Sequence, residues 1–314
     1  MYKLFDIPFI NKPLGWILES IAGFMGGNFA ASIFLFTLLI NIILIPLSIK
    51  SQKSSVQQTR IKPKLDELRK RYGDDRQKFA QAQQQLYQDE NVSMSGGCLP
   101  MLLRLFLILC IYNIILSPLT YLMHVDSEII SAATTAFREA FPKEQFSQLK
   151  LITAINNSDI TFVGIESVKE TLATTHISFN LFGIDLTQTP KFTFNIFKDF
   201  QLNWLMPLIA FAAQMLTSVI SLRMQKKINP DAPSMSGMML TMPLISLFIG
   251  FSLPGGVTFY WACSSLIGGL IQPAIQYFYG PHKMLAKERI KALKKQCDFE
   301  EGQMKKLNSA DAEQ

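Results

Sequence analysis

Histidine is scarce in this chain of 314 residues, which holds only His124, His176 and His282. Its four cysteines, Cys98, Cys110, Cys263 and Cys297, show no CxxC spacing and no histidine nearby to complete a metal set. A zinc site or a disulfide framework needs such clusters, so neither is expected, and no cofactor is. Five long apolar blocks contain no Asp, Glu, Lys or His. Proton relays and intramembrane cation sites are built from those residues, and their absence argues against coupled transport. A buried Ser or Cys in these blocks has no general base beside it, so the chain is not expected to be an enzyme. The N-terminal stretch MYKLFDIPFINKPLGWILES lacks a basic region followed by a clean apolar core, and no cysteine before Cys98 could take an N-terminal lipid. The first apolar block is therefore expected to act as its own targeting signal.

What is present is hydrophobicity, 49% of residues, gathered into blocks. That pattern predicts an all-α integral membrane protein with five transmembrane helices, at 28–48, 98–123, 202–222, 238–253 and 256–279. The fourth is short enough to need tilt, local thinning or shelter by its neighbours. About ten Lys and Arg lie between Ile49 and Gly97, Arg223, Lys226 and Lys227 follow the third block, and Lys283 to Lys295 follow the fifth. Positive-inside bias then puts 49–97, 223–237 and the basic tail 280–314 in the cytoplasm, with 1–27 and 124–201 outside, an N-out/C-in topology. The formal net charge of +6 is mostly a property of that cytoplasmic face and suits anionic lipids or ribosomal RNA rather than DNA.

The loop 49–97 reads as a helical hairpin around the turn Tyr72-Gly73-Asp74-Asp75, with Leu65, Leu68 and Tyr72 facing Phe79, Leu86 and Tyr87. Its basic residues Lys62, Lys64, Arg69, Lys70 and Arg71 form either a reception surface or a solvated connector. Outside, Ile129 to Phe141 is amphipathic, Ile160 to Thr175 is polar and β-branched, and NLFGIDLTQTPKFTF is rich in turn residues, enough for a small fold or a lid. The stretch Leu14 to Phe24 is also amphipathic and fits an interfacial helix before the first span.

Arg104 is the one charge in CLPMLLRLFLILCIYNIILSPLTYLM. A guanidinium keeps its proton and costs about 3 kcal/mol at the centre of a spanning helix, so it marks a functional site unless it snorkels to the headgroups. Polar residues recur at helical intervals: Thr37, Asn41 and Ser48 in the first block, Gln214, Thr217, Ser218 and Ser221 in the third, and Trp261, Ser264, Ser265, Gln272 and Gln276 in the fifth. Each alone suits helix-to-helix hydrogen bonding. Together with Arg104, at a depth similar to that of Asn41, they point to a wet interior groove open to the cytoplasm.

The strings LFTLLINIILIPLSIKSQKS, IKPKLDELRKRYGDD, GGCLPMLLRLF and MMLTMPLISLFIGFSLPGGVTFYWACSSLIGGLIQPAIQ resemble, in order, the YidC/Oxa/Alb membrane protein insertases, nearest to the short Gram-positive bacterial type. The resemblance implies a multi-pass protein of the bacterial plasma membrane. It would be an insertase and chaperone that moves short outer tails and spans of nascent membrane proteins through a polar groove, alone or with the Sec translocon. The ribosome and a targeting factor are its further implied partners, with the cytoplasmic hairpin as their receiver. On this reading the groove comprises Arg104, Asn41, Thr37, Gln214, Thr217, Ser218, Trp261 and Ser265. The family's groove arginine aligns with Asn41, and Arg104 stands where the family commonly has glutamine, so the charge is expected to have moved between helices. Leu105-Phe106 replaces a frequent Met-Pro, and Ser265 replaces a frequent asparagine. A translocon assembly factor without autonomous insertion and a solute or lipid transporter are the competing readings.

Overall fold

Proline sets the breaks along the apolar blocks. The computed structural model describes residues 7–73, 75–92, 99–144, 146–190, 201–228, 236–280 and, in the tail, 283–284, 286, 290 and 293–302. Helix α1 (Pro8–Phe24) leads into α2 (Phe29–Ile43), and α3 (Ile45–Tyr72) follows after a break at Leu44. Pro46 has no N–H to donate to the preceding turn, which accounts for that break. Helix α5 (Leu99–Leu116) ends in the same way: Ser117 is non-helical, at φ −125° and ψ 53°, and Pro118 opens the short α6 (Pro118–Tyr121).

Among the described residues, one helical stretch, Leu202–Met224, is long and apolar enough to cross a membrane. The pair Phe29–Ile43 and Ile45–Tyr72 meets the same test only if the two are taken together across their break, and Leu240–Gly250 is a shorter apolar helix. This corrects the expectation of five transmembrane helices in an N-out/C-in bundle, and with it the hydrophilic groove and the multi-pass plasma-membrane placement. The physical reason is that hydropathy registers apolar length but not where a helix stops. Helix α11 (Ser236–Gly250) has 15 residues, about 22 Å of rise, against a hydrocarbon core of roughly 30 Å. Helix α12 (Gly255–Tyr279) has 25 residues, but its glycines and serines, with Gln272 and Pro273, dilute its apolarity.

The chain forms two compact units. The first, 1–44 with 102–271, holds a continuous core in which Leu18 of α1, Phe29, Ile33 and Phe36 of α2, and Ile114 and Ile115 of α5 are essentially fully buried. The same core continues into 124–190, where α7 (Ser127–Ala140) contributes Phe137 and α8 (Gln148–Asn156) contributes Leu149, Leu151 and Ile152. The Phe137 ring lies 5.0 Å from Phe141 and 5.5 Å from Phe146. Asp126 caps α7 by accepting from the Glu128 amide, and Ser147 caps α8 by accepting from Lys150. Helix α9 (Ile165–Thr174) forms despite its β-branched residues: Val168 is buried, and Thr171, Thr174 and Thr175 donate their hydroxyls to carbonyls one turn back.

A two-stranded antiparallel hairpin, β1 (Asn180–Leu181) and β2 (Ile184–Asp185), follows, so the unit is not purely helical. It is stitched to both ends of the first unit. Ser178 donates to Gly27 O at 2.8 Å and accepts from Phe29 N at 3.1 Å. The first amides of α12, Gly255 and Gly256, donate to Gln188 O and Leu186 O at 2.9 and 2.8 Å, which satisfies donors a helix start leaves open. After a 3-10 turn at Leu202–Trp204, α10 (Leu205–Ile228) packs against α11.

The second unit is 45–101 with 272–314. In it α3 packs against α4 (Arg76–Asp89), which Asp75 caps by accepting from Lys78 N at 3.0 Å. Val56, Ile61 and Val92 are buried there, while Leu65, Leu68, Phe79, Leu86 and Tyr87 are half-buried.

Candidate functional site

Two polar side chains of α2 bond back to their own helix. Thr37, 1% exposed, donates its hydroxyl to Ile33 O at 2.6 Å, and Asn41 donates its amide to Thr37 O at 2.8 Å. Such back-bonding is how a hydroxyl or amide is accommodated in an apolar helix without a water. Arg104 lies in α5, and its side chain is outside the described residues.

Between α10, α11 and α12 the structure brings a second polar set together. The Ser246 hydroxyl lies 2.8 Å from both Gln214 Oε1 and Pro243 O, a single donor shared between the neighbouring helix and its own turn. Thr217 donates to Gln214 O at 3.0 Å, and its methyl fills the place where a side chain on Gly269 would stand. Ser218 and Ser265 are half-buried, and Trp261 is half-buried against Ala210, Ala213 and Ala262. Ala213, Thr217 and Gly269 thus make a seam of small residues, the composition that lets two helices approach closely.

Ser246 is absent from the residues that the sequence singles out, because one serine in an apolar block carries no period. Asn113 is absent as well. It is 2% exposed, and its Oδ1 has no hydrogen-bond partner among the described residues. Its signal was available: it is the lone amide in LFLILCIYNIIL.

In the second unit, Arg60 Nη2 lies 3.0 Å from Glu90 Oε2, and Lys64 Nζ contacts Glu90 Oε1. The hydrogen bond and charge of Lys64, then the charge of Arg60, hold the Glu90 carboxyl below its ordinary range. Lys64, expected on a reception surface, is thus engaged by an acid, whereas Arg69, Lys70 and Arg71 at the end of α3 are exposed and Lys62 is half-buried. Gln272 donates to Gln52 at 3.4 Å, and Lys53 sits 5.7 Å from the Tyr279 ring. Among the described residues, no three His, Cys, Asp or Glu side chains cluster as metal ligands would, and Cys110, Cys263 and Cys297 are free thiols.

These features describe a helical protein with polar seams between apolar helices and, among the described residues, no cluster of metal-ligating side chains. The family model of the 60Kd inner membrane protein matches residues 20–282, and the chain belongs to this family. It is similar to the membrane protein insertase YidC of Ectopseudomonas mendocina, 40% identical over 108 residues, which are 34% of this chain and 18% of that protein. The insertase YidC of Pseudomonas entomophila is 40% identical over 108 residues and that of Stutzerimonas stutzeri 37%, each over 34% of this chain and 19% of theirs. The matched stretch is under a fifth of the length of these curated relatives. These relatives bear the name of insertase, and this chain is not an enzyme. Passage of clients through a five-span groove, and the assembly-factor and transporter readings that share its frame, are corrected by the scarcity of spanning helices among the described residues.

Proposed function

We propose that this chain serves membrane protein insertion as a non-catalytic, client-handling member of its family, and that within the family it is of the short Gram-positive bacterial type. The observation that carries the reading is the family match over residues 20–282. The insertase name borne by relatives at 40% identity supports it, and the strings quoted above support the subtype. The reading requires no five-helix channel. Its client contacts are the polar residues exposed by local helix separation: Arg104, Asn41 and Thr37 on α5 and α2, and Gln214, Thr217, Ser218, Trp261 and Ser265 along the α10–α12 seam. Clients are nascent membrane proteins. The basic end of α3, with Lys62, Lys64, Arg69, Lys70 and Arg71, is the receiving surface for the ribosome, a targeting factor or anionic lipid, and the Sec translocon is a further partner.

Expression of this chain in bacteria depleted of their own insertase of this family tests the proposal. Restored membrane insertion of a short-tailed single-span client is the expected result. Normal accumulation of the chain with no recovery of insertion would refute it.

A further inference from the structure

Phe182 breaks two local rules at once. It occupies the first position of the two-residue turn between β1 and β2 with φ +51°, followed by Gly183 at φ +86°. Both signs are those a tight hairpin of this kind requires, and the slot normally goes to Asn, Asp or Gly because a bulky side chain is disfavoured there. Phe182 is also 94% exposed. A single exposed apolar residue is ordinary, but a large aromatic held outward in a strained backbone position points to a contact that offsets both costs.

The surroundings say which contact. The tip is held firmly: Gly183 N donates to Asn180 Oδ1 at 2.7 Å, so the ring is presented on a closed turn. Nothing from Leu181 to Ile184 carries a charge. The nearest acid, Asp185, is drawn back into the hairpin base, accepting from Thr187 N, Thr187 Oγ1 and Gln188 Nε2 at 2.9, 2.7 and 3.1 Å. A side chain on Gly183 would lie 3.6 Å from Leu202 Cδ2. Leu202 is the first residue of Leu202–Met224, the one unbroken stretch long and apolar enough to cross a membrane among the described residues. Leu202 is itself half exposed, and the outward Leu208, Ile209 and Leu216 continue the apolar surface along that helix. The 23 residues rise about 34 Å, which places Leu202 near one boundary of a bilayer whose core is roughly 30 Å thick.

We propose that the β1–β2 tip is a membrane-surface anchor in which the Phe182 ring enters the headgroup and upper acyl region of a phospholipid bilayer beside the entry of Leu202–Met224. An exposed aromatic ring loses unfavourable contact with water on entering that boundary, and a rigid tip loses little freedom on doing so. The anchor would fix the level of 124–190 on the membrane. It rests on Leu202–Met224 crossing the bilayer and does not depend on the insertase reading.

The test uses the full chain reconstituted into phosphatidylcholine vesicles, with phospholipids brominated at shallow or deep acyl carbons. Two variants, Phe182→Trp and Leu216→Trp, are each compared with wild type, whose own tryptophan emission is subtracted. The anchor predicts that the emission added at 182 is largely lost with shallow bromines and less with deep ones, while that at 216 is quenched most by deep bromines. Quenching at 216 with none at 182 overturns the anchor while leaving the spanning helix in place. Quenching at neither overturns both. Emission at 182 that is unquenched yet blue-shifts as protein concentration rises overturns it in favour of a contact between copies of the chain.

Discussion

Gly269 sets how closely α10 and α12 run, because the Thr217 methyl occupies the space a side chain there would need. Gly269→Ala is expected to lower stability by about 1–3 kcal/mol, the usual cost of overpacking a close contact. Combining it with Thr217→Ala should recover most of that loss, as neighbours sharing one space are non-additive. Chemical denaturation in detergent, followed by circular dichroism across the double-mutant cycle, measures both. In 124–190 the sensitive side chain is Phe137, 2% exposed and ringed by Phe141 and Phe146. Phe137→Ala is expected to cost about 3–5 kcal/mol. Because the core is continuous from α7 to α2, the loss should appear as one cooperative shift rather than as a separate early transition of 124–190. At this scale the sequence displayed residue type but not partner. Thr37 and Asn41 were visible as polar residues on a helical period, while their bonding to their own helix depends on backbone carbonyls that no side-chain pattern announces.

At the scale of elements, the α3–α4 pair is held by polar as well as apolar contacts, and Glu90 is where Arg60 and Lys64 converge. Its folded-state pKa is lowered, so its contribution is fully present above the ordinary glutamate value of about 4.3 and is lost as pH falls through the lowered value. Amide protection in α4 should therefore hold from neutral pH to about 5 and decline below 4. Glu90→Gln should show the reduced protection already at neutral pH. The decline should be modest, since the pair is partly exposed and salt weakens it. Protection unchanged in both cases would show that the apolar contacts alone hold α3 to α4.

Elements differed in how plainly the chain announced them. The period of Ile129 to Phe141 is visible, and α7 lies there with its Asp126 cap. The turn-rich NLFG, which opens the longer NLFGIDLTQTPKFTF, is visible too, and the β1–β2 turn lies within it. The breaks at Leu44 and Ser117 are hidden inside unbroken apolar runs, because Pro46 and Pro118 act on backbone geometry that a hydropathy average ignores. Those breaks, with the short α11 and the diluted apolarity of α12, leave one uninterrupted stretch both long and apolar enough to span among the described residues. Helix α9 was hidden for the opposite reason: its β-branched residues suggest strand, and tertiary burial of Val168 overrides that preference.

The whole molecule comprises a large unit with an extended hydrophobic core and a smaller one that carries all the basic residues of 49–97. Membership of the 60Kd inner membrane protein family gives this arrangement its functional frame, and the insertase reading is the account's central claim. It is tested most directly by the purified full chain in liposomes free of other proteins, supplied with a single-span client bearing a short acidic outer tail. The account predicts that wild type renders the tail protease-protected, that Arg104→Ala lowers protection about tenfold if one charge-assisted contact of roughly 1.4 kcal/mol is lost, and that adding Asn41→Arg restores it. A tail left equally accessible with wild-type protein and with empty liposomes would contradict it.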